Sequence, residues 1–390
     1  MAAKTWVLTD VAQQEYVDSF QLAAKDLPGA PAGLEISKRT LRGGLSDGID
    51  VVRLNNGKLA IDVLPTRGMS LHRAWSGDDV IGWDSPVPGP VHPSLVDLGE
   101  PSGLGWLDGF DELMVRCGLE SNGAPEFDEQ GKLLYTLHGR IGNRPAQRVT
   151  VSADPDKQTI SVTGEVYETR FHFLKLKLVS TLTMKFNENS LQIHDEIHNL
   201  SASAAESQIL YHTNFGQPGL LDAGAQLVAP LKTVVPRNDH AASSIDQWNS
   251  YAAAEPGIEE QVYFIHLLGD GQDNTSVMLK NAHGTKGVSL DFNVKQLPCF
   301  SVWKNTTARE DGCVTGIEPG TNFPNPRTYE GEQGRVQKLA PGGHASFDLG
   351  INWHATDVEV QATQQRIEKL QSTAEPKIFR KPQPGWCSDA

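Results

Sequence analysis

The sequence is poor in cysteine and has no long apolar run. Its four cysteines, Cys117, Cys299, Cys313 and Cys387, form no C-x-x-C pair, which argues against a disulfide framework and a structural zinc site. Unpaired thiols are typical of a reducing compartment, so we expect a cytoplasmic protein. No run of about 20 apolar residues is present, and Met1–Asp10 lacks the apolar region of a secretory signal. We therefore expect no membrane span and no secretion.

The sequence also has few positive charges and no periodic glycine or proline. Lys and Arg number 34 against 48 Asp and Glu, which gives a formal net charge of −14. Because phosphate groups are bound by positive surfaces, this balance argues against a nucleic acid or an anionic membrane as the partner. The 37 glycines and 23 prolines are spread without a period, which excludes collagen and predicts many turns.

Short strand-like runs bounded by turn residues dominate the middle of the sequence. Residues 49–54 and 58–63 flank Asn55-Asn56-Gly57, whose glycine permits the positive φ of a tight hairpin. Leu174–Leu178 alternates apolar and polar residues, which predicts a strand with one buried face. Similar runs recur at 149–153, 159–167, 191–197, 262–268, 277–280, 288–292, 300–303 and 345–353. The pattern predicts an all-β protein built as a large antiparallel β-sandwich.

Helical patterns are confined to the two ends of the chain. Asp10–Ala24 carries spaced apolar residues behind a potential aspartate cap, and Thr356–Leu370 combines spaced apolar residues with a polar remainder. The 390 residues contain no internal repeat and no clear linker, so one domain with terminal additions is the best interpretation. We expect a helical and loop extension packed on the core over 1–48, the β-sandwich over 49–355, and a helix and tail over 356–390.

Residues with catalytic potential stand out in three short segments. Segments 137–140, 209–216 and 315–324 each place an ionisable side chain at the end of an apolar run, with Gly or Pro shortly after. A strand end that faces a loop is where a rigid scaffold can present a reactive side chain. Residues 83–105, rich in Pro and Gly, predict a long ordered loop, which in a compact domain is often functional.

The ionisable residues of these segments are His138, His212 and Glu318. Each histidine alone is compatible with a purely structural role. A carboxylate that closes an apolar strand, such as Glu318, must be exposed, paired or functional. The three residues together are the candidate catalytic set.

Taken together, the three segments resemble the aldose 1-epimerase (galactose mutarotase) family. Its members have a His-Gly segment, then a second histidine after an apolar strand, then a glutamate on a late strand. His138-Gly139, Leu210–His212 and Gly316–Pro319 match these features in order. The stretch Gly109–Leu119 is typical of a poorly characterised aldose-1-epimerase-like branch, and the resemblance covers about residues 49–354.

The resemblance implies a fold and a reaction. The fold is a large β-sandwich of the supersandwich type, in agreement with the strand pattern. The reaction is mutarotation, in which a cyclic sugar opens at C1–O5, its C1 carbonyl rotates and the ring closes again, with no cofactor or metal. By resemblance, Glu318 is the base for the anomeric hydroxyl, His212 is the acid for the ring oxygen, and His138 orients the ring-oxygen side. The expected partner is a small carbohydrate.

The sequence departs from the family pattern after the second histidine. His212 is followed by Thr213–Gly216, where the family has Pro-Tyr-Phe-Asn, so the sugar-contacting part of this loop is different. Basic residues also stand near the candidate segments, namely Arg67, Arg140 and Lys304. Because guanidinium groups suit carboxylates and phosphates, we hypothesise that the sugar carries an anionic group; ordinary salt bridges are the alternative.

Three further residues are candidates for sugar binding. Asn214 lies in the altered loop, Asn322 follows the candidate glutamate, and Trp303 could stack on the apolar face of a pyranose. Trp106 is a second stacking candidate. Core packing is the alternative role for both tryptophans.

Two other functions would use the same residues. A divalent metal on His138, His212 and Glu318 would form a facial triad with open positions, suited to epimerisation or elimination next to a carbonyl. A non-catalytic sugar-binding module would keep the fold without the reaction. The sequence leaves both alternatives open beside the metal-free isomerase.

Overall fold

Strands dominate the structure, a computed structural model that describes residues 3–217 and 219–388. The first fifteen strands are β1 (Lys4–Asp10), β2 (Glu15–Tyr16), β3 (Phe20–Ala23), β4 (Glu35–Thr40), β5 (Asp50–Asn55), β6 (Leu59–Leu64), β7 (Ser70–Ser76), β8 (Asp79–Ile81), β9 (Met114–Leu119), β10 (Glu126–Phe127), β11 (Leu133–Tyr135), β12 (Ala146–Asp154), β13 (Thr159–Thr169), β14 (Lys175–Lys185) and β15 (Ser190–Asn199). The later strands are β16 (Ala205–Gly216), β17 (Gln226–Val228), β18 (Leu231–Pro236), β19 (Gln261–Leu267), β20 (Asn274–Lys280), β21 (Gly287–Asn293), β22 (Cys299–Asn305), β23 (Val314–Gly320), β24 (Gln337–Leu339), β25 (His344–His354) and β26 (Lys377–Ile378).

The strands form two large sheets and a separate short hairpin of β10 and β11. Sheet I follows the order β17-β20-β21-β25-β15-β14-β13-β12-β1-β2. Sheet II follows the order β26-β18-β19-β22-β23-β16-β9-β7-β6-β5-β4-β3, with β8 paired to β7 and β24 paired to β16. The pairings within the sheets are antiparallel except at the edge, where β26 runs parallel to β18. The arrangement confirms the predicted antiparallel β-sandwich.

One apolar core fills the space between the two sheets. Val162 of β13 pairs with Leu182 of β14 on the inner face of sheet I, and Tyr211 of β16 contributes from sheet II. Leu210, the next residue back on β16, belongs instead to a second apolar cluster with Trp106. Because successive side chains of a strand point to opposite faces, β16 is buried on both sides. Its second buried side carries the candidate site.

A buried ion pair joins the two sheets behind β16. Arg116 of β9 pairs with Asp195 of β15, and both side chains are fully buried. The Arg116 guanidinium also donates to the hydroxyl of Ser180, and the hydroxyl of Tyr211 donates to Asp195 at 3.0 Å. The network therefore links β9 and β16 of sheet II to β14 and β15 of sheet I.

Over the described residues the α-helices are α1 (Asp239–Ser243), α2 (Arg327–Glu332) and α3 (Asp357–Gln371). Helix α3 confirms the predicted C-terminal helix. Its cap is reciprocal, because the hydroxyl of Thr356 accepts from the backbone of Glu359 while the Glu359 carboxylate accepts from the backbone of Thr356. Within this part of the chain, none of the helices combines the length and apolarity needed to cross a membrane.

The predicted N-terminal helix over 10–24 is wrong. This segment forms the end of β1, a turn, β2 and β3. Its spaced apolar residues do not make one buried face, since Val11 is 40% exposed and Tyr16 is 62% exposed while Leu22 is buried. Strand β1 pairs with β12 in sheet I and β4 pairs with β5 in sheet II. The first 48 residues are thus built into both sheets and are not a helical extension.

Candidate active site

Three adjacent strands of sheet II bring two of the candidate residues to one face. Strands β16 and β23 pair with Thr213 opposite Ile317, a register that places His212 opposite Glu318. On the other side of β23, Ser301 of β22 also lies opposite Glu318. Residues directly opposite each other on paired strands point to the same face. His212 Nε2 accordingly lies 3.3 Å from Glu318 Oε1.

The Glu318 carboxyl occupies the space that is left by the missing side chain of Gly316. The carboxyl folds back over Gly316, two residues earlier on β23. A Cβ atom on Gly316 would lie 2.1 Å from Glu318 Oε1 and 3.3 Å from the His212 ring. The first of these distances is too short for any real contact, so a side chain at Gly316 would displace the carboxyl.

Asn214 fixes the ring of His212. His212 Nδ1 lies 2.6 Å from Asn214 Oδ1, while Asn214 Nδ2 donates to the carbonyls of Glu112 at 3.0 Å and His212 at 3.2 Å. The amide oxygen is therefore the acceptor, and Nδ1 of His212 carries the proton. In the neutral ring this leaves the lone pair of Nε2 towards Glu318. Asn214, a predicted sugar contact, orients His212 and does not line the cavity described below.

His138 approaches from the loop that follows β11. Its φ is +56°, its backbone N–H donates to the carbonyl of Gly123 at 2.9 Å, and its Nδ1 lies 3.0 Å from the carbonyl oxygen of Asn122. Because a carbonyl only accepts, Nδ1 of His138 also carries the proton. The His138 and His212 ring centroids are 5.1 Å apart, so both rings and the carboxyl converge.

The three side chains line a cavity of about 300 Å³, which is at the lower end of the usual range for small-molecule sites. Aromatic rings form its walls: the centroids of Trp106, Phe110 and Trp303 lie 5.9, 5.2 and 5.6 Å from that of His212. Leu104, at the end of the predicted long loop, also lines it. A wider groove of about 640 Å³ lies beside β1 and β12 and holds none of the candidate residues.

Burial sets the protonation of the site. Burial raises the pKa of Glu318 to about 8, with Glu260 adding to the rise and Arg237 opposing it. Burial lowers the pKa of His138 to about 4, and it lowers the pKa of His212 well below its usual value, an effect that His138 reinforces. Near neutral pH both rings are therefore neutral and Glu318 carries the proton. Among the described residues, Glu318 Oε1 has no well-aligned hydrogen-bond partner, and His212 Nε2 lies 3.3 Å from this buried oxygen.

Arg237 and Glu260 form a polar rim that the sequence patterns do not predict. Arg237 donates to Glu260 Oε1 at 2.9 Å, and the indole N–H of Trp303 donates to Glu260 Oε2 at 2.6 Å. Their positions at strand ends are the sequence feature that could indicate a functional role, since Arg237 directly follows β18 and Glu260 directly precedes β19. These paired strands bring the two charges together across an intervening stretch of more than twenty residues, a pairing that local patterns do not indicate.

Arg67 lies outside the cavity, which corrects the expectation that it contacts an anionic sugar. Its guanidinium is fully buried and pairs with Glu112 at 2.6 Å. It also donates to the side chain of Asn143 and, at 2.8 Å, to the carbonyl of Gly109. Its donors are therefore used within the protein, which is the alternative that the sequence left open.

Lys304, Arg140 and Asn322, three other expected sugar contacts, also do not line the cavity. Lys304 points to the opposite face from its neighbour Trp303, and its ammonium group donates to the carbonyls of Gln247 at 2.9 Å and Ser250 at 2.7 Å. Burial lowers the pKa of Lys304 to about 8. Arg140 is half-buried and Asn322 is buried, and neither lines the cavity. Of the predicted sugar contacts, Trp303 does line it.

Metal ligation gains no support from the geometry. Over residues 3–217 and 219–388, no three His, Cys, Asp or Glu side chains are grouped so that they could hold one metal ion. His138, His212 and Glu318 share a cavity, in which His212 Nε2 lies 3.3 Å from Glu318 Oε1 and the two imidazole centroids are 5.1 Å apart.

The two-sheet fold is shared with a galactose mutarotase-like protein of known structure, and in this chain it carries a cavity with two histidines and a glutamate. A family profile described as a domain of unknown function, DUF4432, matches residues 46–352. The chain belongs to this family and is aldose 1-epimerase-like in structure.

Solved structures agree with this assignment. A candidate aldose 1-epimerase from Klebsiella pneumoniae subsp. pneumoniae MGH 78578 is 36% identical, with a TM-score of 0.94 over 98% of this chain and 99% of that chain. A galactose mutarotase-like protein from Clostridium acetobutylicum is 15% identical, with a TM-score of 0.56 over 82% of this chain and 98% of that chain, and shares the fold alone. No curated protein matches the sequence significantly.

Proposed function

We propose that the protein is an aldose 1-epimerase-like isomerase that interconverts the anomers of an aldose by general acid–base catalysis. The observation that carries the proposal is the convergence of His138, His212 and Glu318 on one cavity of about 300 Å³. The aromatic walls suit the apolar face of a pyranose, and an adjacent acid and base suit its hemiacetal. The similarity to a candidate aldose 1-epimerase supports the same general class.

Ring opening in this proposal moves two protons and breaks one bond. Glu318, as a carboxylate, takes the proton of the anomeric hydroxyl. The electron pair of that O–H bond forms the C1 carbonyl, the C1–O5 bond breaks, and His212, as an imidazolium, gives its proton to O5. Rotation about C1–C2 presents the other face of the carbonyl, and the same transfers in reverse close the ring as the other anomer.

The pair of Glu318 and His212 holds one proton throughout this cycle. Burial favours the form with protonated Glu318 and neutral His212. Transfer of that proton across the 3.3 Å gap to Nε2 gives the carboxylate and the imidazolium that opening requires. Since both forms contain one proton, activity requires that the pair as a whole holds one proton, whichever of the two residues carries it.

The tautomer of His138 limits the hydrogen bonds that its ring can make to a sugar. With Nδ1–H donated to Asn122, its Nε2 can accept a hydrogen bond but cannot donate one while the ring is neutral. It therefore suits a hydroxyl of the sugar, including the O5 hydroxyl that exists only after the ring has opened. This differs from direct donation to the closed ring oxygen, which would require a charged His138.

The proposed substrate is a neutral aldose. Arg67, Arg140 and Lys304, which suggested an anionic sugar, do not line the cavity. Among the described residues that line the cavity, the guanidinium is that of Arg237, which is already paired with Glu260. A carboxylate on the sugar would meet both Glu260 and any ionised Glu318, whereas neutral hydroxyls can bond to either charge of the rim.

An NMR screen of anomeric exchange tests the proposal. Neutral aldoses and sugar acids are compared near neutral pH with the full-length protein. At least one neutral aldose should exchange faster than in buffer alone, sugar acids should not, and Glu318→Gln should reduce the effect about 10²–10⁴-fold. If no sugar exchanges faster than in buffer, the proposal fails. Sugar binding without exchange in wild type and variant would favour the binding module.

A further inference from the structure

We propose that Asn322 is a positioning residue that aims the His138 ring, acting through Asn122 across a reciprocal amide pair. Asn322 does not line the cavity, so it cannot act by touching a ligand there. The kinetic consequence of the proposal rests on the proposed function, whereas the geometric consequence can be measured on the protein alone.

The backbone carbonyls of Asn122 and Gly123 hold His138. The carbonyl of Asn122 accepts from the ring at 3.0 Å, and the carbonyl of Gly123 accepts from the His138 backbone at 2.9 Å. His138 lies outside the strands, with φ at +56°, and its backbone is also bonded to β9, where the backbone of Gly118 donates to the carbonyl of His138 at 3.2 Å. The His138 ring also packs against Trp106, with the ring centroids 4.6 Å apart, and its Nδ1–H donates to the Asn122 carbonyl. The direction of this N–H therefore depends on the position of the Asn122 carbonyl.

The side chain of Asn122 is tied to Asn322, 200 residues away in sequence. Asn122 Nδ2 donates to Asn322 Oδ1 at 2.9 Å, and Asn322 Nδ2 donates to Asn122 Oδ1 at 2.7 Å. Both residues are buried. Because each amide serves the other as donor and acceptor, removing one leaves buried polar atoms of the other without a partner.

Asn322 itself is fixed from two directions. The hydroxyl of Thr321 donates to Asn322 Oδ1 at 3.0 Å, and Asn322 Nδ2 also donates to the carbonyl of Phe323 at 2.7 Å. The Phe323 ring stacks on Trp386 of the C-terminal segment, with centroids 5.1 Å apart. Asn322 is thus a rigid reference point between the end of β23 and the chain terminus.

Other contacts keep the two loops together when the amide pair is removed. The backbone of Ala124 donates to the carbonyl of Pro324 at 3.1 Å, and the backbone of Asn122 donates to the side chain of Gln208 at 3.1 Å. Gly123 packs so closely that a Cβ there would lie 2.0 Å from the carbonyl oxygen of Asn325. Loss of the amide pair should therefore change the aim of the Asn122 carbonyl more than the fold.

The direct test is ¹⁵N NMR of the imidazoles in the full-length protein, with the His138 signal assigned by its loss in His138→Gln. Wild type should show the Nδ1–H tautomer with a slowly exchanging proton. Asn322→Ala should give a mixture of tautomers and faster proton exchange. Asn199→Ala is the matched control, since Asn199 is equally buried and bonds to the carbonyls of Ser203 and Leu339 in another region; it should leave the signal unchanged.

The variant Asn322→Asp distinguishes the effect of the hydrogen bonds between residues 122 and 322 from the effect of side-chain packing at position 322. When the introduced carboxyl is protonated, it can donate to Asn122 Oδ1 and accept from Asn122 Nδ2, as the amide does. When it is ionised, it cannot donate. The His138 signal should therefore resemble wild type at about pH 5 and change by about pH 8, with burial moving the transition above the usual aspartate range.

With a sugar that the wild type exchanges, Asn322→Ala should lower kcat about 10- to 100-fold, with KM changed less than about threefold. An unchanged His138 signal in folded Asn322→Ala, or an equal change in Asn199→Ala, overturns the proposal. If Asn322→Ala does not fold, a His138 signal in Asn322→Asp that is independent of pH overturns it instead. Failure of the wild type to exchange any sugar defeats the proposed function only, because the NMR signal still decides the positioning role.

Discussion

At the scale of single residues, the proposed reaction depends on a proton held between Glu318 and His212. The Glu318 carboxyl is buried and its pKa is raised to about 8, while burial disfavours the charged form of His212. The 3.3 Å separation of the two groups allows the proton to move between them.

The rate of anomeric exchange should fall as the pH rises above about 8. In that range the pair of Glu318 and His212 loses its one proton, and no acid remains for the ring oxygen. The measurement is kcat/KM for a responsive sugar between about pH 6 and about pH 10, corrected for exchange in buffer. A rate that continues to rise through about pH 9 would contradict the shared-proton account.

Glu318→Gln should stabilise the fold increasingly as the pH rises. The carboxyl has a pKa of about 8 in the folded chain against an ordinary value of 4.5, so the folded state binds more protons between these values. The wild type therefore loses stability through this window, and glutamine does not titrate. Urea unfolding should show little of this titration effect near pH 4.5 and about 2–5 kcal/mol in favour of Glu318→Gln at about pH 8.

The control for that measurement is Glu375→Gln, which changes an exposed carboxyl. Its stability should follow wild type at every pH. A constant difference between Glu318→Gln and wild type across the same range would show that the Glu318 carboxyl is not held protonated by the fold.

The sequence predicted which residues line the cavity only where an ionisable residue ends an apolar run. His138, His212 and Glu318 end apolar runs, and the structure brings all three to one cavity. Arg67 and Lys304 also stand near strand ends, yet their partners are a glutamate and two carbonyls of this chain. The local sequence shows where a charged residue lies relative to a strand end, but it does not show which distant group pairs with that charge.

At the scale of elements, β23 is shaped around its catalytic candidate. Gly316 leaves the space that the Glu318 carboxyl fills, and β16 and β22 flank it on either side. Strand β23 is therefore specialised at two positions. Glu318 supplies the carboxyl, and Gly316 has no side chain that would occupy the space of this carboxyl.

Gly316→Ala should lower kcat/KM about 100-fold or more, because displacement of the carboxyl by even about 1 Å costs that much in a positioned acid–base site. The measurement is anomeric exchange together with circular dichroism to verify folding. The matched control is Gly271→Ala, since a Cβ at Gly271 meets no atom within 4 Å. Full activity in Gly316→Ala would contradict the assigned position of the carboxyl.

The two terminal elements show why one helix was predicted and the other was wrong. The sequence of α3 has its cap residues Thr356 and Glu359 in place, and Val360 and Ile367 are buried on one side. Residues 10–24 also have spaced apolar residues, but β1 is paired with β12 and the segment continues into further strands. Pairing with a distant strand overrides a weak local helical pattern.

At the scale of the whole molecule, the two sheets are joined behind the site by Arg116 and Asp195. Asp195→Asn should destabilise the protein by about 3–5 kcal/mol, because it leaves a buried guanidinium without its counter-charge. Urea unfolding at neutral pH measures this. Asp246→Asn, which breaks an exposed pair with Arg380, should leave the midpoint unchanged. Equal effects of the two variants would contradict a role for the buried pair.

The predicted sandwich follows from alternation and turns, but the order of its strands does not. Strands β9, β16 and β23 are neighbours in sheet II although roughly a hundred residues separate each from the next. The site lies across this non-local pairing, with the rim added by β18 and β19. Apolar periodicity specifies which face of a strand is buried, whereas the partner of each strand depends on the packing of the whole chain.

The central claim is that Glu318 and His212 exchange protons with a sugar bound in the cavity. The most direct measurement is the NMR exchange rate between the anomers of a responsive aldose with wild type, Glu318→Gln and the exposed control Glu375→Gln. The account predicts acceleration by wild type and by the control, and a loss of about 10²–10⁴-fold in Glu318→Gln while the variant stays folded. Equal acceleration by all three proteins would contradict it.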